Sequence, residues 1–467
     1  MAKKKTVLSI EERLQQALVP KEEQPYEVPE NWVWVRLGSI SDTISKGTTP
    51  KGGKAAYTNN GVKFLRIENI TDNGTISHDS MVYVNNETHN KFLKRSILQE
   101  NDVLISIAGT LGKTGIVRKV DLPINTNQAI CFVRLKTSVS FPCYIKTVLE
   151  SPIINDALLS QVKVTSIPNL TLEIIYNCNV PIPPLQEQHR IVARIEELFA
   201  KLDEAKENLQ EVLDGFETRK AAILHKAFTG ELTKKWREEH GVGMDSWEDH
   251  LLKDVCDVNP KKGDVKNLPD QLIVSFIPMA AVSDVKGCIV EPQIKALGEV
   301  KKGFTNFCEG DVIFAKITPC MENGKSAVVG KLVHDIGFGS TEFYVLRASV
   351  KLYNYYLYHF VRSSAFRNLA KGEMTGAVGQ QRVPKSFIEN FTIHLPSLDE
   401  QQEIVRIVDF MFDKEQKAKE AAESVLEQID LMKKSILARA FRGELGTNDP
   451  AEPGSMELLK QVLADKE

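Results

Sequence analysis

Apolar residues recur along this chain in two rhythms. Between Val62 and Ile67, Val103 and Ile107, Gly115 and Val117, and Ala129 and Leu135 they gather in short runs bounded by Gly, Asn and Pro, which predicts strands. From Ile191 the rhythm turns helical. Ile191, Ile195, Leu198, Leu202, Ala205, Leu209, Val212 and Phe216 step alternately by four and three, the seam of a coiled coil rather than the broader face of a globular helix. A second stretch keeps the step through Ile404, Val408, Met411, Ala418, Ala422, Val425, Ile429, Met432 and Ile436, broken only at Glu415. Asp and Glu crowd the remaining positions, as a solvated face requires. Pro183, Pro184 and Pro396 mark the entries, and Gly230 and Gly443 the exits. About 40–45 helical residues at 1.5 Å each predict rods of roughly 60–70 Å.

The two stretches are one segment written twice. Pro183, Leu185, Glu187, Gln188, Ile191, Ile195, Phe199, Ile223, Leu224, Ala227, Phe228, Gly230, Glu231 and Leu232 each find a counterpart 213 positions later, ending at Gly443, Glu444 and Leu445. A repeat on this scale sets the architecture. A lone helix cannot hide such a seam, so the copies are predicted to pair within the chain. The expected fold is α+β: an arm over residues 1–30, a mixed α/β domain over 31–180, a helical spacer over 181–246, a second mixed domain over 247–395, a second spacer over 396–446 and a tail over 447–467. One shorter helix is predicted near Pro142 to Leu159, and a last one, Met456 to Leu463, reads as peripheral and packs against an amphipathic turn at Ile10, Leu14 and Leu18.

The two mixed domains share strands and differ in loops. Asn101-Asp102-Val103-Leu104 parallels Gly310-Asp311-Val312-Ile313, and Phe132-Val133-Arg134-Leu135 parallels Val345-Leu346-Arg347-Ala348. Loops on a common scaffold are where recognition is written.

Charge sharpens that picture. Residues 31–180 hold 16 basic against 11 acidic side chains and residues 247–395 hold 18 against 16, whereas 181–246 hold 10 against 13 and 396–467 hold 10 against 16. The positive excess sits in the mixed domains and the acid on the rods. At 42% apolar and 26% charged residues the composition is that of a globular protein of two or three domains. No run of 18 apolar residues exists, and Met1 to Lys5 lead into polar sequence, so no membrane association and a cytoplasmic location are expected. Seven cysteines (Cys131, Cys143, Cys178, Cys256, Cys288, Cys308 and Cys320) lack metal-ligand spacing and read as thiols.

Catalytic signatures fail on inspection. In Gly109-Thr110-Leu111-Gly112-Lys113-Thr114 the first glycine of a phosphate loop falls on Ile107, and the run continues as a strand rather than a helix. Asp311 with Lys316 suggests a nuclease pair, but such pairs arise by chance in a charged chain. The nine histidines form no H-E-x-x-H pair. No catalytic residue, bound cofactor or metal is expected on this chain.

Ile182-Pro183-Pro184-Leu185-Gln186-Glu187-Gln188, its copy Leu395-Pro396-Ser397-Leu398-Asp399-Glu400-Gln401, and the paired Ala227-Phe228-Thr229-Gly230-Glu231-Leu232 and Ala440-Phe441-Arg442-Gly443-Glu444-Leu445 resemble the specificity subunits of type I restriction-modification systems. Gly339-Ser340-Thr341-Glu342-Phe343 and Gly379-Gln380-Gln381-Arg382-Val383-Pro384 resemble the same family. The resemblance implies two target recognition domains, each reading one half of a bipartite sequence in double-stranded DNA. It also implies an antiparallel coiled coil with pseudo-twofold symmetry that sets the unread gap. That spacer would dock two modification subunits, joined by up to two restriction subunits, and S-adenosylmethionine, ATP and Mg²⁺ are expected on those partners. The seam would comprise Ile191, Ile195, Leu198, Leu202, Leu209, Phe216, Ile404, Val408, Met411, Val425, Ile429 and Ile436.

Phosphates call for Lys, Arg and loop hydroxyls, and base edges for Arg, Asn or Gln. The candidate DNA contacts are therefore Lys46, Thr48, Thr49, Lys51, Arg66, Asn69, Lys113, Asn127 and Gln128 in the first domain. In the second they are Lys261, Lys262, Lys316, Asn323, Lys325, Thr341, Thr375, Gln380, Gln381 and Arg382. The competing reading of each is a turn residue or a solvated charge, and Arg66, inside a strand run, also reads as framework. The rival for the whole chain is a non-catalytic adaptor whose coiled coil spaces two protein-binding modules.

Overall fold

The computed structural model describes residues 9–162, 168–261, 265, 267–377 and 379–464. Its contacts divide the chain into two units, Met1–Asn208 with Val425–Glu467, and Leu209–Ser424.

Unit 1 carries strands β1 Val33–Arg36, β2 Ser41–Lys46, β3 Val62–Leu65, β4 Val82–Val84, β5 Val103–Ser106, β6 Thr114–Ile116, β7 Ile124–Thr126, β8 Ile130–Leu135 and β9 Asn179–Ile182. An antiparallel sheet in the order β2-β8-β5-β6 stands beside a smaller one, β4-β3-β7, in which β3 and β7 run parallel. The central β8 is buried at every position but Arg134, which explains its nearly unbroken apolar run. Where one helix was expected near Pro142 to Leu159 there are two, Pro142–Glu150 and Pro152–Ser160. Ser151 between them is extended, because the ring of Pro152 drives the preceding residue out of helical geometry.

The pair β1–β9 is roofed by the arm. Helix Ile10–Ala17 starts on a reciprocal cap between Ser9 and Glu12, and the Val19 amide donates to the Trp34 carbonyl at 3.0 Å. Helix Ser455–Ala464 packs on Ile10–Ala17, and the Arg13 guanidinium donates to the Leu463 carbonyl at 3.1 Å. That last helix is not peripheral: Leu459, Val462 and Leu463 join the main core of the unit.

Unit 2 repeats the plan with β10 Glu248–Leu251, β11 Cys256–Val258, β12 Ile273–Ile277, β13 Gln293–Ala296, β14 Thr305–Phe307, β15 Val312–Ala315, β16 Ser326–Val328, β17 Gly337–Gly339, β18 Phe343–Ala348 and β19 Thr392–Leu395. Its sheets run β11-β18-β15-β16, β13-β12-β17-β14 and β10-β19. The shared strands carry an equivalent ion pair in each unit. Arg134 on β8 grips buried Asp102 with two bonds of 2.9 and 2.7 Å, and Arg347 on β18 grips Asp311 with two of 2.8 Å. A buried carboxylate at the head of β15 requires such a partner, so Asp311 serves the framework.

The rods differ in continuity. The second is a single helix, Leu398–Ala440, whereas the first is Leu185–Asp214 followed by Phe216–Phe228. At Gly215 the backbone stays near helical geometry, but the Arg219 guanidinium takes the Val212 carbonyl at 3.0 Å, the acceptor that the Phe216 amide would otherwise use. The counterpart position holds Gln428, and that helix runs on.

Within unit 1 the rods meet where Lys433 lies over the Phe199 ring and bonds Asp203 at 2.5 Å, and where Lys206 pairs with Asp430. Within unit 2 Lys419 lies over Phe216, Arg219 bonds Glu415 at 2.8 Å, and Lys220 lies over Phe412. In both, one number falls as the other rises, so the pairing is antiparallel. Ile191, Ile195, Phe216, Ile404, Val408 and Ile429 are buried in the seam, and Leu198, Leu202, Leu209, Met411 and Ile436 are half-buried. Val425 does not belong there, being 38% exposed. The buried and half-buried positions there are instead Lys419, Ala422, Leu426, Ile429 and Lys433. Counting apolar residues alone does not find all of these, because lysine stems laid across aromatic rings occupy seam places.

Candidate nucleic-acid interface

In unit 1 the loops at the ends of β2, β3, β5 and β7 are tied into one rim. Lys46 ends β2, the Gly47 amide donates to Ile130 and the Thr48 amide to Thr126. A side chain at position 47 would stand 2.1 Å from the Asn127 carbonyl oxygen, so only glycine allows this approach. The Thr49 hydroxyl donates to the Gln128 side-chain oxygen, and the Asn127 amide donates to the Leu65 carbonyl. Next to them the Ile107 amide donates to Ala129, which draws in the β5–β6 hairpin carrying Lys113, whose ammonium bonds Asp72 at 3.0 Å. The glycine-rich run is thus a hairpin loop between antiparallel strands.

Lys46, Thr48, Thr49, Lys113, Asn127 and Gln128 are thereby brought together, with Lys51 further along the same loop. Arg66 borders them but is bound to Glu68 at 2.9 Å and to the Ser80 carbonyl at 3.1 Å, a framework role. Asn69 leaves the set. It is 1% exposed, its oxygen accepts from the Arg66 amide and its nitrogen donates to the Asp79 carbonyl, so both ends are used inside the fold.

In unit 2 the rim forms around Lys316. Its amide donates to the Glu342 carbonyl and its carbonyl accepts from Val383, while the Thr318 amide donates to Gln381. Thr375 and Arg382 exchange backbone bonds of 3.0 and 2.8 Å. The Arg382 guanidinium holds Glu342 through two bonds of 2.9 Å, which keeps that carboxyl below its usual range. Lys316, Thr341, Thr375, Gln380, Gln381 and Arg382 therefore share one edge. Asn323 is exposed on the loop that follows, and the Lys325 ammonium turns back to the Met279 carbonyl at 3.3 Å. Lys261 is exposed beyond β11, and Lys262 lies outside the described residues.

The repeated Glu-Gln of the rods has a purpose that sequence reasoning missed. In unit 1 buried Glu187 accepts from the Trp32 indole at 2.8 Å and the Asn448 amide at 3.0 Å. Gln188 accepts from the Phe141 amide and donates to the carbonyls of Val139 and Pro183. In unit 2 Glu400 accepts from the Trp247 indole, the Thr233 hydroxyl and the Arg237 guanidinium at 3.1, 2.6 and 2.6 Å. Gln401 accepts from the Tyr353 amide and donates to Lys351 and Pro396. Each dipeptide pins the root of a rod to the domain beside it. The available signal was the spacing of Trp32 and Trp247, each at the mouth of its domain.

Comparison with known proteins meets this duplicated layout twice. The family model described as the type I restriction modification DNA specificity domain matches residues 29–214 and again residues 244–427. The chain belongs to this specificity family. Among relatives, it is 32% identical over 264 residues to the type I restriction enzyme EcoEI specificity subunit of Escherichia coli, a match spanning 48% of this chain and 44% of that one. The first relatives are thus matched over less than half their length. It is 24% identical over 458 residues to the EcoKI specificity subunit of Escherichia coli strain K12, covering 94% of this chain and 96% of that one. In fold, this specificity-family chain is similar to the HsdS subunit from Thermoanaerobacter tengcongensis, with a TM-score of 0.64 at 22% identity over 91% of this chain and all of that one. No helix among the described residues is long and apolar enough to cross a membrane.

Proposed function

We propose that this chain is the DNA-reading, non-catalytic subunit of a cytoplasmic type I restriction-modification complex. One observation carries the reading: each unit of a specificity-family chain presents a rim of lysine, threonine and glutamine on a strand scaffold common to both, with different loops on each. Each rim reads one half-site of double-stranded DNA through base edges and phosphates. The antiparallel rods hold the gap between half-sites constant, so linked readers reach a long composite specificity. The internal repeat lets one asymmetric chain recruit two identical modification subunits, with up to two restriction subunits beyond them. S-adenosylmethionine serves the modification subunits, and ATP with Mg²⁺ the restriction subunits.

The test is single-molecule sequencing of methylated adenines in cells carrying this chain and its partners. Two short motifs separated by a fixed number of arbitrary bases are expected. A continuous motif would remove the spacer role, and duplex binding by the chain with its modification partner that ignores salt would favour the adaptor, since phosphate contacts weaken steeply with salt.

A further inference from the structure

Phe92 stands 44% exposed on the loop Lys91–Arg95 of unit 1. Its position is fixed from behind. Leu93 is fully buried, its amide donates to Thr88, and its carbonyl accepts from the Ser96 amide, the Ser96 hydroxyl and the buried Asn125 side chain at 2.9, 3.1 and 3.2 Å. Asn125 lies on β7, two residues before the Asn127–Gln128 turn of the rim. With Leu93 locked inward, its neighbour faces out.

The ring does not stand alone. The Lys51 ammonium lies 5.6 Å from its centre, which joins the loop to the rim from the other side. Lys94 and Arg95 are exposed and, like Lys51, have no ion-pair partner among the described residues, whereas Lys91 is bonded to Glu87 at 2.9 Å. In unit 2 the corresponding loop, 301–304, turns its ring inward, where Phe304 meets Phe276 edge-on at 4.9 Å. An aromatic ring held outward among unpaired cations fits a surface that offers phosphates for the charges and an apolar face for the ring.

We propose that the loop Lys91–Arg95 clamps the backbone of duplex DNA beside the half-site read by unit 1, with Phe92 laid on deoxyribose and Lys51, Lys94 and Arg95 on phosphates. This rests on the DNA-reading function above and adds to it a footprint that carries no sequence information.

Salt titration of the full chain together with its modification partner on a mixed-sequence duplex tests it, with adenine-methylation sequencing alongside. Replacing both Lys94 and Arg95 by Ala is expected to flatten the slope of log affinity against log salt by about 1.8, at roughly 0.9 per phosphate. Phe92→Ala is expected to weaken binding about tenfold through lost apolar contact, and Phe92→Tyr to keep the affinity, which sets aside misfolding. The methylated motif stays the same in all. If the native complex binds duplex with a salt slope and the variants match it, the clamp is overturned and the reader stands. A changed motif in the variants also overturns the clamp, and a native complex of chain and modification partner that does not bind duplex overturns both.

Discussion

Glu187 and Glu400 occupy equivalent places in the two rods, yet they are satisfied from different sources. In unit 2 the donors Thr233, Arg237 and Trp247 come from one continuous stretch, and one of them is a buried cation. In unit 1 they come from both ends of the chain, Trp32 from the arm side and Asn448 with the more distant Thr447 hydroxyl from the tail, and all are neutral. Asn448 also donates to Asn31 at 2.8 Å, which splices those ends together. A buried carboxylate at the root of a rod needs convergent donors, and covalent continuity among them is dispensable. The neighbouring strands record the same difference. β1, roofed by the arm, reads Val-Trp-Val-Arg and is buried at all but Arg36, whereas β10 reads Glu-Asp-His-Leu and has no fully buried position.

If the tail is truly the missing third of that splice, removing it is the most damaging change. A chain ending at Leu445 loses Thr447, Asn448, the Glu452 partner of Arg190, and the buried Leu459, Val462 and Leu463. Burial of three such side chains alone contributes on the order of 5 kcal/mol. Hydrogen exchange is expected to rise across residues 10–36 of unit 1 and to stay unchanged in unit 2. Retained protection in unit 1 would mean that the tail is an ornament.

Single substitutions sharpen the contrast between charged and neutral donors. Glu400→Ala strands the buried Arg237 guanidinium, 7% exposed, and is expected to cost about 3–5 kcal/mol. Glu187→Ala leaves only neutral donors unpaired, at about 1–3 kcal/mol. Hydrogen exchange at the Trp247 and Trp32 segments separates the two. Equal losses would show that the cation adds nothing.

How much of this was legible beforehand divides along the same line. The rods, their repeat and the strand runs of both domains could be read because local periodicity and apolar runs create them, and the resemblance of the doubled Pro-Leu-x-Glu-Gln segment supplied the family. The rims were half legible. Lys46, Thr49 and Gln128 are loop residues by type and do converge, whereas Asn69 looked the same in sequence and is buried, because the Ser77–Ser80 segment folds over it. Val425 failed for a different reason. Val425 is exposed where Leu426 beside it is half-buried, and the lysines lying over Phe216 and Phe199 hold positions that an apolar count does not see. The pairing of Trp32 with Asn448 was beyond reach, since residues at opposite ends of a chain meet only through the tertiary fold.

The smallest expected effect is the most specific to the neutral socket. Burial raises the pKa of Glu187, and the bonds from Trp32 and Asn448 with the nearby Arg190 offset only part of that. A carboxyl raised in the folded state holds its proton more tightly there than in the unfolded chain, whose value is about 4.3. Its favourable contribution is therefore complete below that pH and is lost as pH rises through the folded value. Unit 1 of the native chain should lose stability over that interval, and Glu187→Gln, which keeps an acceptor for Trp32 but does not titrate, should flatten the loss. Urea midpoints followed by Trp32-segment exchange from pH 4 to 7 check this. Parallel curves for the two chains would show that the tail-supplied donors already hold the carboxylate as well as a cation could, and the distinction between the two sockets would then be one of origin alone.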